Sequence, residues 1–210
     1  MPFAPNSWNV ILLGAWNGAI LTPEWIGKHV FEVPSGHAIA IEVPINTRGP
    51  WRVKQNDVAV LVTPNNLEFS CDATNFPTLE IAKKLASKTL DLLPVTPVAA
   101  AGFNLRFTSA ELPPELAAIT TSGLESSFSD NGFHILSQAT RRTIPYKDGL
   151  INCEISVEEN GNTLVALNFH RSSAVQQELK DWLSMPIAEV ETISNKILAC
   201  LKGVTLEQQQ

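Results

Sequence analysis

The side chains able to do covalent or metal chemistry are few and scattered. His29, His37, His134 and His170 form neither HxxxH nor HExxH, and Cys71, Cys153 and Cys200 form no CxxC pair. A metal site would therefore have to assemble from distant strands, and no zinc or dithiol centre is expected. Nucleophilic catalysis needs a serine or cysteine, a base and an oxyanion hole, and there is no GxSxG elbow. Ser35 and His37 lie close in sequence, but nothing completes a triad around them. The remaining catalytic arrangement is a small hydrolase-like site with Cys153 beside His134 or His170, which requires neighbouring strands to align. Walker-type loops are absent and the 11 glycines are dispersed, so nucleotide chemistry is disfavoured and no cofactor is expected.

Binding chemistry is better represented. Asn104, Arg106, Arg141, Arg142, His170 and Arg171 are hydrogen-bond donors placed in the second half of the chain. Side chains alternate across a strand, so Asn104 and Arg106 share one face while Phe103, Leu105 and Phe107 take the other. Arg141 and Arg142 must then split between faces. Such a set suits a carboxylate, a phosphate or an acidic surface on a partner. Trp51, next to Gly49-Pro50 and Arg52, is a candidate aromatic anchor.

The elements that carry these residues read in two similar runs. In the first, 8–16 is an apolar strand, and Thr22-Pro23-Glu24 opens a short helix to about 29. Strands follow over 37–43, 51–54, 58–62 and 67–71. A helix begins at Phe76, where Leu79, Ala82, Leu85, Ala86, Leu90 and Leu93 fall on one face and Lys83, Lys84 and Lys88 mainly on the other. In the second run, 98–107 is a strand, 109–119 a short helix and 120–132 a Ser/Gly-rich loop. Strands over 133–144, 150–157 and 163–169 follow, with Asn160-Gly161 as a hairpin signal. Helix then runs from 173 to about 201, broken near Pro186. Its broad apolar stripe, from Trp182 to Leu201, covers the sheet, with any surplus docking another subunit. Residues 207–210 form a polar tail.

Gly14-Ala15-Trp16-Asn17 can be set beside Gly102-Phe103-Asn104, and Leu67-Glu68-Phe69 beside Leu167-Asn168-Phe169. These matches predict an internal duplication, with pseudo-repeats at 8–94 and 97–203 inside a single domain, 1–210. The expected fold class is α+β: a curved antiparallel sheet with helices on one face.

This order of elements resembles the TATA-binding protein and its structural relatives, whose two halves join in one curved sheet. The segments 102–107 and 164–170 also resemble a widespread group of bacterial proteins without an assigned activity, some encoded near mobile or defence genes. That resemblance implies a fold and a bacterial origin.

Composition narrows the function. Charged residues are 17% of the chain, below the usual value of about 25%, which suits a surface covered by a partner. The net charge of −6 opposes non-specific nucleic-acid binding, so a nucleic-acid-binding saddle ranks third. No apolar run reaches the roughly 20 residues of a membrane span. The N-terminus has no basic segment like that of a secretory signal, and the cysteines read as reduced, mostly buried thiols in a cytoplasmic protein. The expectation is a non-catalytic protein-binding or assembly subunit of a bacterial or phage-related system, with a protein partner or a second copy of itself.

Overall fold

Among the described residues ten strands form one antiparallel sheet, and alternation along the central strands sends apolar side chains toward the helices. The computed structural model describes residues 3–44, 50–120 and 124–202. In chain order the elements are β1 (Ala4–Pro5), β2 (Asn9–Gly14), α1 (Pro23–Trp25) running into a π-helical turn (Ile26–Val30), β3 (Ala40–Glu42), β4 (Arg52–Gln55), β5 (Val58–Val62), β6 (Asn66–Cys71) and α2 (Phe76–Leu92). The second part comprises β7 (Val98–Ser109), α3 (Pro114–Thr120), α4 (Leu124–Asp130), β8 (Ser137–Tyr146), β9 (Gly149–Glu158), β10 (Thr163–Ser172), α5 (Gln176–Leu183) and α6 (Ile187–Lys202). Across the sheet the order is β3-β4-β5-β6-β2-β7-β10-β9-β8, with β1 also paired to β7.

Local chemistry sets the elements. Asn75 caps α2 by accepting from the Thr78 N–H, and Pro77 stands in its first turn. Asn56 and Lys147 take positive φ in the turns β4–β5 and β8–β9, as does Gly161 between β9 and β10. Phe103 and Phe169 stack across β7 and β10 with centroids 4.7 Å apart. Each is fully buried, contributing roughly 1.5–3 kcal/mol. Trp182, Leu183, Val190 and Leu201 are buried, and Ile187, Ile193, Ile197 and Leu198 pack against the same core. The C-terminal stripe thus packs into the common core, α5 against β7 and β10 and α6 against α2 and α3.

Several expectations are corrected. The loop 120–132 contains α4, an amphipathic turn with Leu124 and Phe128 at helical spacing. Strand β8 starts at Ser137, four residues later than expected, and the strand 37–43 shrinks to Ala40–Glu42. Cys71 and Cys153 are buried but Cys200 is exposed. Gly14 closes β2 while Gly102-Phe103-Asn104 lies inside β7, so the first pair of matched runs occupies different places. Leu67, Phe69, Leu167 and Phe169 of the second pair are all fully buried, in β6 and β10. Gly49, residues 121–123 of the expected loop, and the tail 207–210 lie outside the described residues. Among the described residues no helix is long and apolar enough to cross a membrane.

Candidate binding face

The face of the sheet turned away from the helices carries a continuous ladder of polar side chains. Register brings Asn9, Asn104, Asn168, Asn152 and Thr143 directly opposite one another on β2, β7, β10, β9 and β8. Thr143 Oγ1 donates to Asn152 Oδ1 (2.8 Å), and Asn152 Nδ2 to Asn168 Oδ1 (3.0 Å). Asn168 Nδ2 donates to Asn104 Oδ1 (2.8 Å), and Asn104 Nδ2 to Asn9 Oδ1 (2.7 Å). Asn9 Nδ2 ends the row on Glu68 Oε1 (2.7 Å). Asn9 and Asn152 are buried, Asn104 and Asn168 half-buried. Cross-strand pairs of this kind fix register and satisfy polar groups beside an apolar core.

Gly102 lies in the adjoining row. A Cβ there would stand 2.6 Å from the Phe169 carbonyl oxygen, so only glycine fits.

Arg106 stands next to the ladder, where two grooves meet. One, of about 630 Å³, is bordered by Ser7, Arg52, Glu68, Ser70, Asp72 and Arg106. The other, of about 550 Å³, is bordered by Ser7, Arg106, Thr108, Ser156, Glu158 and Leu164. Arg106 Nη1 donates to the Ser7 carbonyl (2.9 Å), which holds the guanidinium at this junction. Ser7 has φ of 53°, the kink that separates β1 from β2. Among the described residues Arg106 forms no ion pair. Arg52, by contrast, is held by Ser70 (2.7 Å), Glu42 (3.3 Å) and Asp72 (3.4 Å), and Lys54 pairs with Asp72.

Of the residues singled out in the sequence, Asn104, Arg106, Arg141 and His170 share this face. Burial first, and then the Arg141 guanidinium, holds the His170 imidazole below its ordinary range. Its Nε2 lies 2.8 Å from Ser172 Oγ. Arg142 and Arg171 sit on the helix side by alternation, Arg142 opposite Cys153 and Arg171 bonded to Glu178 Oε2 (2.6 Å). Trp51 is half-buried against the core and presents no anchor on the open face.

The Cys/His arrangement does not form. Cys153 is buried toward the helices, where desolvation raises its thiol pKa despite the nearby Arg142. His170 is on the opposite face, beside Leu150. His134 pairs with Glu159 (3.1 Å), past the far end of β9 and nine residues along the chain from Leu150, the cross-strand neighbour of His170. Among the described residues no three histidine, cysteine, aspartate or glutamate side chains converge on a metal-sized site.

The ladder members Asn9, Asn152, Asn168, Thr143 and Glu68 were not among the residues picked out by sequence. For Asn152 and Asn168 the signal was an asparagine within an otherwise apolar run of sequence; that the five share one row is legible only once strand register is known. Comparison of the chain with protein-family models and with curated proteins gives no match.

Proposed function

We propose that this protein is a non-catalytic binding or assembly subunit that receives a partner protein on its open sheet face, where Arg106 takes a carboxylate of the partner. The observation that carries this reading is an arginine held at the junction of two grooves that, among the described residues, forms no ion pair of its own. A partner carboxylate there gains charge-assisted hydrogen bonds that no internal group supplies. Charge on the face favours protein over nucleic acid. Arg52, Lys54, Arg106 and Arg141 share it with Glu42, Glu68, Asp72, Glu154 and Glu158, so carboxylates outnumber cations. The face therefore offers a phosphodiester backbone no net attraction.

The halves 8–94 and 97–203 are read as a duplicated unit. In each, the first strand pairs with the last strand of its own meander (β2 with β6, β7 with β10), and the two first strands adjoin. The free cysteines suit a reducing, cytoplasmic setting. The bacterial or phage-related origin rests on the sequence resemblance alone.

Affinity capture of the tagged full chain from its native cells, at moderate salt, tests the reading. Wild type is expected to retain a stoichiometric protein that the Arg106→Glu variant loses, with both chains melting alike. Retention by the variant, or isolation of the wild type alone, overturns it.

A further inference from the structure

We propose that β8 is a docking edge that receives an extended acidic segment of another protein as an added strand. β8 is the last strand of the sheet, ten residues long, and pairs only with β9 among the described residues. It joins β9 through a two-residue turn with Tyr146 opposite Gly149. Such a hairpin closes on a hydrogen-bonded pair, so even-numbered residues of β8 bond to β9. The N–H and C=O groups of Ser137, Ala139, Arg141 and Thr143 therefore point away from the sheet. Pro145 shares that outward parity and has no N–H to offer.

Charge identifies the occupant. The strand contains Arg141 and Arg142 and no acidic residue. Neither arginine is ion-paired among the described residues, Arg142 reaching only Thr140 Oγ1 at 3.4 Å. A second copy of this chain is a poor occupant. The antiparallel registers that overlap nearly all of β8 put Arg141 or Arg142 opposite the same residue of the other copy, which repels. An incoming strand with two consecutive acidic residues meets both arginines, one on each face of the sheet. An apolar side chain two positions further on then covers Ile144, which is 37% exposed on the helix side. Main-chain bonds supply affinity and the paired charges supply selection.

The test uses the full chain and a fluorescent peptide of alternating valine and threonine with two adjacent glutamates at its centre. A control peptide carries lysines in their place. The glutamate peptide is expected to bind, and the lysine peptide to bind at least about tenfold more weakly. The Arg141→Ala/Arg142→Ala double variant is expected to lose about tenfold as well. Ala139→Pro removes an outward N–H and abolishes binding, and N-methylating alternate peptide bonds of the ligand does the same without altering the protein. Arg106→Glu leaves binding intact, which separates this edge from the open face. Equal binding of the two peptides overturns the proposal, as does insensitivity to the arginine pair or to N-methylation, loss with Arg106→Glu, or no binding at about 1 mM.

Discussion

Between pH 8 and pH 10.5, the stability of the wild type relative to a Lys83→Met variant is expected to rise by about 3 kcal/mol. Lys83 lies in α2 with only 2% of its surface exposed. Its ammonium sits 4.9 Å from the Phe103 ring centroid and donates to the Met185 carbonyl. Among the described residues it forms no ion pair; burial outweighs the attraction of Glu80 and Glu189 and pushes its pKa down to about 8, from 10.5 in an unfolded chain. Between those values the unfolded chain binds a proton that the folded chain does not. Stability from this group therefore climbs by about 1.4 kcal/mol per pH unit, and is level below 8 and above 10.5. Cys71 and Tyr146, each pushed up to about 12, act in the opposite sense. Burial holds the proton on Cys71, and a hydrogen bond to Glu189 holds it on Tyr146. Both are present in the variant and cancel in the difference. Urea unfolding of the two chains across this range measures it, and a flat difference would show that Lys83 is solvated.

Replacing Asn104 by alanine is expected to cost about 2 kcal/mol, at roughly 1 kcal/mol for each of two lost bonds. The Asn9 oxygen loses its donor and the Asn168 amide loses its acceptor, the first inside a buried side chain. Asn168→Ala breaks one of the same bonds. The Asn104→Ala/Asn168→Ala pair is accordingly expected to cost less than the sum of the single changes. Denaturant midpoints of the four chains provide the check. Strict additivity would mean that the ladder members act independently and that water replaces each bond.

These effects depend on contacts that the sequence conveys unevenly. The apolar rhythm of α2, the alternation in β7 and the asparagine turns are local properties, and they placed most elements within a few residues. The parity of Asn104 and Arg106 was legible for the same reason. The helix α4 was not, because Ser126, Ser127 and Ser129 mask the spacing of Leu124 and Phe128. Nor was the pairing of Arg171 with Glu178, which needs α5 to fold back along β10. The hydrolase-like site failed on long-range register. Cys153 and His170 are on neighbouring strands, yet an odd number of steps between their positions sends them to opposite faces. The sequence contains both residues, but only the sheet says which way each one points.

The asparagine row has a further consequence, because every bond in it runs the same way. An asparagine can turn its amide over, so a closed row has two self-consistent settings, all amides one way or all the other. Glu68 as a carboxylate only accepts, and thereby selects one of them. Thr143, five strand spacings or about 24 Å away, is left as the donor at the opposite end. The sheet is in this way given a head and a tail by a single side chain, and its open face presents amides that all lean toward one edge.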